Sequence, residues 1–355
     1  MQIKHSTWTF EYVPNKCSYQ TINTNQDILL TQNFIPTTFS NKEIIDAILS
    51  DYKKASVIHK LVRKRLNEKI ATGTKYLDLA NYADEIITSF NGNMAFPLGI
   101  SANNIAAHDT AMAIDDRCLK QNDIVKIDLG IHVNGCIIDS AYTKIVDASQ
   151  ETYNFYEPLL LASQDSLYTG LALSGPDAIL YEISEAIQEV IESYELEDGT
   201  PIKPVIGLGG HDVLPYKVHG KKLILSVPNK EYQKDTRMEQ GEFFALETFA
   251  TTGTGKVHIG DLLSCNHFML SDNKLKKPND LTHWIENKNN NLPFTQRQLK
   301  SQKNCEKDIK NSLKLKDVIA YPPLLEKVGK AVAQFEHTFY VGDCGIDILS
   351  LGEDY

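Results

Sequence analysis

The sequence predicts an α+β protein made of two related halves that face each other across a shared cleft. Residues 124–146 form a strongly apolar stretch with the pattern of an antiparallel β-hairpin around Asn134-Gly135. Amphipathic helices precede the hairpin. A similar order of helix, histidine-bearing segment and acid-bearing strand recurs later in the chain. We expect the two halves to pack about a pseudo-two-fold axis, which would bring Asp128 and Glu247 together.

The first part of the chain divides into an extension and two helices. Residues 1–40 are polar and rich in Thr, Asn and Gln, which indicates an N-terminal extension without chemistry of its own. Apolar side chains recur every three or four positions over 41–70 and predict a long amphipathic helix. A Thr-Gly-Thr break at 72–74 separates it from a second helix, predicted over 75–90.

The hairpin places two carboxylates on one face. Asn134-Gly135 favours the two positive φ angles of a type I′ turn, which sets Gly130 opposite Asp139 and makes Asp128 its diagonal neighbour. Two acids among apolar residues repel each other and resist desolvation unless a cation or a shared proton offsets their charge. The alternative is a wet sheet face with two ordinary surface acids. The apolar flanks, KIDLGIH and CIIDSAY, count against that alternative.

The second half repeats the first in outline. Leu119–Asp128 (LKQNDIVKID) aligns without gaps on Met238–Glu247 (MEQGEFFALE). The helix KYLDLANYADEIITSF resembles ILYEISEAIQEVIESYE, which begins at Ile179, and Ala106-Ala107-His108 resembles Gly209-Gly210-His211. Three similarities in the same order predict two halves of common design.

A last acid, Glu336, lies at the centre of the apolar strand AVAQFEHTFYV and shares a face with Gln334 and Thr338. The candidate metal ligands are then Asp128, Asp139, His211, Glu247 and Glu336. Four carboxylates and one imidazole without a thiolate suit a pair of Mn²⁺, Fe²⁺, Co²⁺ or Zn²⁺ ions better than a structural zinc. Singly, each residue has another reading: an edge-strand acid, a core histidine or a surface ion pair.

Composition excludes several classes of protein. The net charge of -10 argues against a general nucleic-acid or anionic-membrane surface. Six cysteines without a C-x-x-C pair indicate a reduced intracellular protein, not a disulfide scaffold. The N-terminus has no apolar signal core, and no run reaches membrane-spanning length. We therefore expect a cytoplasmic protein.

The order KIDLG, IIDSA, GGH, ALETF and QFEHT resembles the methionine aminopeptidases, dinuclear metallopeptidases of the pita-bread (creatinase/aminopeptidase) fold. The resemblance extends from Asn41 to Tyr355. A stretch over 260–320 resembles the helical insert of the eukaryotic-type (type 2) enzymes, as do AFPLGIS, RMEQGE, YPPL and GEDY. The resemblance implies two halves related by a pseudo-two-fold axis around a central antiparallel sheet. The domains would be an extension at 1–40, a catalytic domain at 41–259 and 321–355, and an insert at 260–320.

The resemblance also assigns the five ligands. Asp128 would bind one metal ion, Asp139 and Glu336 would bridge two, and His211 and Glu247 would complete the second site. The implied cofactor is two divalent ions, Co, Mn, Fe or Zn, which lower the pKa of a water that attacks the substrate. Glu247 would carry the proton of that water.

Five further residues match substrate contacts of the family. His108 matches the histidine near the scissile bond that fumagillin-type epoxides alkylate. His219 matches a histidine that stabilises charge on the carbonyl oxygen. Phe96, His267 and Tyr321 match the lining of the methionine pocket. Plain core packing is the alternative for these last three.

The implied activity is removal of the initiator methionine from nascent proteins whose second residue is small. The implied partners are nascent N-termini, the ribosome and fumagillin-type inhibitors. We expect no binding to membranes or to nucleic acid in general, and we expect the protein to be a monomer. One alternative is a proline-directed aminopeptidase of the same fold, against which the type 2 insert argues. The other is a non-catalytic pita-bread protein acting through protein or RNA contacts, against which the complete ligand set argues.

Three positions depart from the family pattern. Gly209 stands where the family has Asn, Asp212 follows the metal histidine where Ser is usual, and Asp109 follows His108 where Tyr is common. We expect an acid beside each histidine to raise the histidine pKa or to alter metal preference.

Overall fold

The computed structural model describes residues 2–5, 8–11, 41–271, 278–299 and 305–355. Within these ranges the helices are α1 (Asn41–Lys69), α2 (Tyr76–Ser89), α3 (Gln150–Leu173), α4 (Leu180–Glu192), α5 (Lys230–Gln233), α6 (Asp280–Lys288) and α7 (Cys305–Leu315). The strands of the first half are β1 (Gln2–His5), β2 (Trp8–Glu11), β3 (Asn93–Met94), β4 (Gly99–Ala102), β5 (Ile105–Ala107), β6 (Ile124–Val133) and β7 (Cys136–Ile145). The later strands are β8 (Lys203–Pro204), β9 (Gly209–Val213), β10 (Leu223–Leu225), β11 (Phe243–Thr251), β12 (His258–Ile259), β13 (Phe268–Leu270), β14 (Val318–Ala320), β15 (Leu324–Leu325), β16 (Val332–Val341) and β17 (Ile346–Ile348).

Two antiparallel sheets form the centre of the molecule. One has the order β3-β6-β4, with β7 paired to β6, and the other has the order β10-β9-β11-β16-β17, with β8 paired to β11. Helices α1 and α2 accompany the first sheet, and α3 and α4 accompany the second. One apolar core extends across both halves. The α+β prediction with two antiparallel halves is confirmed.

The N-terminal part and the first helices were predicted in outline. The structure places α1 and α2 within a residue of their predicted ends. Val62 and Leu66 of α1 are fully buried, as the periodicity requires. Of the predicted extension at 1–40, the structure describes only the β1–β2 pair, and the rest lies outside the described residues. In the part of the chain that is described, no helix is both long and apolar enough to cross a bilayer.

The central hairpin has the predicted turn and register. Asn134 and Gly135 adopt φ angles of 50° and 87°, as a type I′ turn requires. Gly130 lies opposite Asp139, and Asp128 lies opposite Ala141. The two acids therefore share one face of the β6–β7 hairpin, as the alternation of side chains predicted.

The second half repeats this antiparallel pair in β11 and β16, although β12 to β15 lie between them along the chain. The Asn122 N–H donates to the Val146 carbonyl at 2.7 Å, and the Gly241 N–H donates to the Val341 carbonyl at 2.8 Å, so equivalent bonds close both pairs. Residue 122 aligns with 241 in the sequence repeat, and both have positive φ. The predicted repeat of the acid-bearing strands is confirmed.

The histidine segments are not equivalent, and that part of the repeat was wrong. His211 in β9 pairs with Ala245 of β11. The repeat aligns Ala245 with Lys126, whose partner in β4 is Ser101. His108 lies seven residues beyond Ser101, after the separate strand β5. Two short Gly/Ala-Gly/Ala-His matches thus occupy different places in the two halves.

The two sheets meet between β7 and β16 through side-chain hydroxyls. The Asp139 N–H donates to Thr338 Oγ1 at 2.8 Å, and Thr338 Oγ1 donates to the Asp139 carbonyl at 2.6 Å. Thr143 makes the same reciprocal pair of bonds with the backbone of Gln334, both at 2.8 Å. Buried polar backbone groups need such partners. The hydroxyls therefore fix β7 and β16, with their acids, relative to each other.

A separate small core lies in the region of the predicted insert, within the described residues 265–271, 278–299 and 305–318. Its buried members are Cys265, Phe268, Leu270, Leu281, Ile285, Phe294, Leu299, Ile309 and Val318. The segment contains helices α6 and α7 but also the β13–β14 pair, so it is not purely helical. Arg297 Nη1 donates to Asp84 Oδ2 of α2 at 2.7 Å and joins this core to the first half. The boundaries at 260 and 320 stay a prediction.

Candidate metal centre

The predicted ligands lie on strands of both central sheets. Glu247 of β11 is directly opposite Glu336 of β16, and Asp128 and Asp139 lie on β6 and β7. His211 comes from β9, which pairs with β11 on its other side. Strand pairing aligns the ligands within each sheet, and the threonine hydroxyls between β7 and β16 bring the two sheets together.

Three of the five side chains form a compact buried cluster. Ligand atoms of Asp139, His211 and Glu336 all lie within 4.8 Å of one another. His211 Nε2 is 3.9 Å from Asp139 Oδ2. All three residues are almost fully buried, between 1% and 3% exposed. A carboxylate pair with an imidazole at this spacing has the donor set of a divalent metal site.

The other two acids are joined to each other by Gln334. Its Nε2 donates to Glu247 Oε2 at 2.9 Å and approaches Asp128 Oδ2 at 3.4 Å. One neutral amide thus bonds to Asp128 of the first half and to Glu247 of the second. Its own oxygen, Gln334 Oε1, is buried and has no hydrogen-bond partner.

The electrostatics of the four acids fit a site for divalent cations. Burial raises the pKa of Asp128 to about 6. Burial and then repulsion between the acids raise the pKa of Asp139, Glu247 and Glu336 well above their ordinary values. Asp128 Oδ1, Asp139 Oδ1 and Glu336 Oε2 are buried without a hydrogen-bond partner. Divalent cations would satisfy carboxylate oxygens that are buried, crowded and without a hydrogen-bond partner.

The backbone sets the ring orientation of His211. Its Nδ1 lies 3.3 Å from the Asp212 carbonyl, an acceptor, so the ring hydrogen belongs on Nδ1. The lone pair of Nε2 then faces Asp139. Burial, and then the neighbouring His219, hold the pKa of His211 well below its usual range. The ring is therefore neutral, as a metal ligand must be.

The predicted substrate contacts form a second group beside the acids. The His108 ring meets His267 at 5.6 Å and Tyr321 at 5.7 Å between centroids, both edge-on. The His219 ring stacks on His211 with centroids 3.7 Å apart. Two of the three predicted residues of the methionine pocket, His267 and Tyr321, thus contact the His108 ring.

Phe96 occupies the space left by a glycine of the hairpin. A Cβ added to Gly130 would lie 2.1 Å from Phe96 Cε1, so the ring rests directly on the glycine backbone. Phe96 is buried among Ala95, Ile137, Val213, Val218, Ala245 and Leu292. Gly130 lies opposite Asp139, which places the ring beside the acid cluster.

We expected the acids that follow His108 and His211 to raise the pKa values of these histidines, and that expectation is wrong. Burial lowers the pKa of His108 to about 4, although Asp109 follows it, and the Asp109 carboxylate is paired with Arg117. Asp212 Oδ1 accepts a hydrogen bond from the Lys222 N–H at 2.6 Å instead of approaching the metal histidine. A Cβ on Gly209 would lie 2.3 Å from the Ile224 carbonyl oxygen, so β10 leaves no room for Asn.

Sequence reasoning left two contributors to the site without a role. Gln334 and Thr338 were placed on the same face as Glu336, but nothing in the sequence indicated the amide bridge or the bonds to Asp139. Their partners lie 87 and 199 residues away. The signal was the alternation of polar side chains in AVAQFEHTFYV.

Comparisons with known proteins agree with this geometry. The pattern of metallopeptidase family M24 matches residues 50–267. Methionine aminopeptidase 2-2 of Chaetomium globosum is 35% identical over 353 residues, covering 92% of this chain and 78% of that protein. Two solved structures share the fold. A thermophilic Arx1 has a TM-score of 0.73 at 16% identity, over 87% of this chain and 92% of its own. A methionine aminopeptidase of Thermotoga maritima has a TM-score of 0.60 at 18% identity, over 88% and 98%.

Proposed function

Because the chain belongs to metallopeptidase family M24 and, within it, to the methionine aminopeptidases 2, we propose that it removes the initiator methionine from nascent proteins with a small second residue. The observation that carries this proposal is the convergence of four acids and His211 from both halves beside the His108, His267 and Tyr321 cluster. A metallopeptidase needs both parts, a cation site and an apolar pocket next to it.

We assign the metal ligands as Asp128, Asp139, His211, Glu247 and Glu336. Two divalent ions, Co, Mn, Fe or Zn, would supply Lewis acidity and a water of lowered pKa when bound. The partnerless carboxylate oxygens and the neutral His211 ring support the assignment. The ordering effect of Gln334 on Asp128 and Glu247 keeps both carboxylates pointed into the same cleft.

The other residues bind and orient the substrate in this proposal. Glu247 would take up the proton of the attacking water and deliver it to the leaving amine. His219 and His108 face the scissile carbonyl, His219 from above His211. Phe96, His267 and Tyr321 line the pocket of the methionine side chain, a slot that an unbranched thioether fills well.

The family likeness extends the proposal beyond the site. It supports a monomeric cytoplasmic enzyme that acts on nascent N-termini at the ribosome and reacts with fumagillin-type epoxides. The likeness to the Chaetomium globosum enzyme covers 92% of this chain, which supports extending the proposal to these properties.

A peptide panel tests the proposed function. The metal-loaded chain should release methionine from Met-Ala-Ser but not from Met-Lys-Ser, and a chelator should abolish the release. His108→Ala should be nearly inactive, whereas Asp116→Asn should match the wild type because the Asp116 side chain is 94% exposed. Methionine release that survives the chelator, or equal cleavage of both peptides, would refute the proposal.

A further inference from the structure

His108 has a strained backbone in the structure. Its φ angle is 68°, in the left-handed region that residues with a side chain rarely adopt. Such a conformation persists only where the surrounding structure imposes it, and it is common at functional sites. The His108 ring has a hydrogen bond to the backbone of Pro322, while its Nδ1 is buried without a hydrogen-bond partner. A single bond at the ring does not fix φ, and the residues that follow His108 supply contacts to the backbone.

Asp109 is the anchor that follows His108. It is 2% exposed, and its two carboxylate oxygens each accept a hydrogen bond from Arg117 Nη1 at 2.9 Å. Its carbonyl accepts the Ile100 N–H at 2.8 Å, which ties it to β4. A buried carboxylate is stable only when it is paired, so the position of Asp109 depends on Arg117.

Arg117 is held by several partners of its own. Its Nη2 donates to Asp115 Oδ2 at 2.8 Å and to the Thr110 carbonyl at 2.9 Å, and its Nε donates to Asp115 Oδ1 at 3.0 Å. Its guanidinium lies over the Tyr76 ring, 4.7 Å from the centroid. The planar fork of Arg can satisfy two carboxylates and a carbonyl at once, which Lys cannot do.

The anchor connects directly to the strand beside the metal centre. Gly99 of β4 forms a bridge with Thr110 and also lies opposite Asp128 of β6. Thr110 Oγ1 donates to the Leu98 carbonyl at 2.7 Å, which adds a second tie to the residues just before β4. The segment after His108 is thus fixed to the same frame that carries a proposed metal ligand.

We propose that the Asp109–Arg117 pair is a positioning device, which holds His108 in its left-handed conformation and so aims its ring at the substrate. The inference rests on the proposed function of the site and adds two residues to it that do not touch the substrate. Without the pair, the backbone of His108 relaxes to negative φ and its ring leaves the place between His267 and Tyr321. The metal ligands, which are held by other contacts, stay in place.

The test compares four chains: wild type, Asp109→Asn, Arg117→Lys and the control Asp116→Asn. Asp116 lies in the same loop and forms an exposed 3.5 Å pair with Lys75. Three properties are measured for each: kcat and KM for Met-Ala-Ser, the rate at which a fumagillin-type epoxide alkylates His108, and the affinity for Mn²⁺. Displacing a group that contacts the reacting atoms by about 1 Å costs about 10²-fold in rate.

We expect Asp109→Asn to lower kcat about 10²-fold and to lower the alkylation rate by a similar factor, while the Mn²⁺ affinity stays unchanged. Arg117→Lys, which retains the charge but not the fork, should lose about tenfold in both rates. Asp116→Asn should stay within about twofold of wild type. If Asp109→Asn does not fold, Arg117→Lys, whose side chain is 42% exposed in the wild type, decides the question.

Wild-type alkylation in both Asp109→Asn and Arg117→Lys would overturn the inference, as would a loss of Mn²⁺ affinity equal to the loss of rate. A wild-type chain that releases no methionine would refute the proposed function instead. The positioning would then be decided by a crystal structure of Asp109→Asn. A negative φ at His108 would support the pair, and the φ of 68° seen here would overturn it.

Discussion

Removing the Asp128 carboxylate should stabilise this chain when metal is absent. The ordinary pKa of Asp is 3.8, and burial raises that of Asp128 to about 6. The folded chain therefore binds more protons than the unfolded chain between these values, and this group lowers the stability progressively as pH rises through 6. Two pKa units correspond to about 3 kcal/mol, which Asp128→Asn would recover above pH 7. Asp139, Glu247 and Glu336 act in the same direction.

Buried histidines change the stability with pH in the opposite direction. Their contribution must be removed before the effect of Asp128 can be seen. Burial lowers the pKa of His59 to about 3, so the stability it contributes is lost as pH falls below 6.5. The useful quantity is therefore the difference between Asp128→Asn and wild type, both in chelator, at each pH. Both chains contain the same histidines, so the difference reports the Asp128 carboxylate together with its repulsion of Asp139, Glu247 and Glu336.

Thermal unfolding at pH 4, 5, 6, 7 and 8 provides the measurement. The two chelated chains should unfold at similar temperatures at pH 4, about half of the difference should be present at pH 5, and the variant should gain about 4 °C over wild type by pH 8. Saturating Mn²⁺ should reverse the order, because the wild type binds the ion more tightly. A chelated variant that is less stable than wild type at pH 8 would refute the view that these acids are held against their own repulsion.

Two further predictions concern contacts around the acids. Gly130→Ala should raise KM for Met-Ala-Ser about tenfold, because the new Cβ would lie 2.1 Å from Phe96 Cε1 and displace the ring; Gly175→Ala, with its nearest atom at 4.0 Å, is the control. An unchanged KM would show that Phe96 does not line the pocket. Thr338→Val should cost about 2–4 kcal/mol in urea unfolding, because it leaves the N–H and the carbonyl of Asp139 unpaired in a buried place. A loss below about 1 kcal/mol would show that the two sheets do not depend on this hydroxyl.

Local chemistry explains what the sequence could predict of the fold. Asn134-Gly135 determines its turn without help from the rest of the chain, and the turn then sets the register that joins Gly130 to Asp139. The helix ends near Lys69 and Tyr76 follow from periodicity and a Gly-containing break. These signals act over a few residues, which is why a single sequence reveals them.

Contacts between distant residues explain what the sequence could not predict. Thr338 and Asp139 are 199 residues apart, and neither residue type indicates a bond to the other. Burial in the folded chain lowers the pKa of His108, against the effect expected for an acid beside it, and only the folded loop brings the Arg117 guanidinium to the Asp109 carboxylate. The match between Ala-Ala-His and Gly-Gly-His was misleading because three residues can recur without a common place in the fold.

The two strand pairs carry the same number of acids at different positions. Gly130 faces Asp139 and Asp128 faces Ala141 in the first pair, whereas Phe249, which the repeat aligns with Gly130, faces Gln334 in the second, and Glu247 faces Glu336. The acid of β7 thus has its counterpart two residues further along β16. This shift leaves position 334 to an uncharged donor, which bonds to both Asp128 and Glu247. A duplicated strand can therefore keep its count of charges and still gain a neutral group at the point where the halves meet.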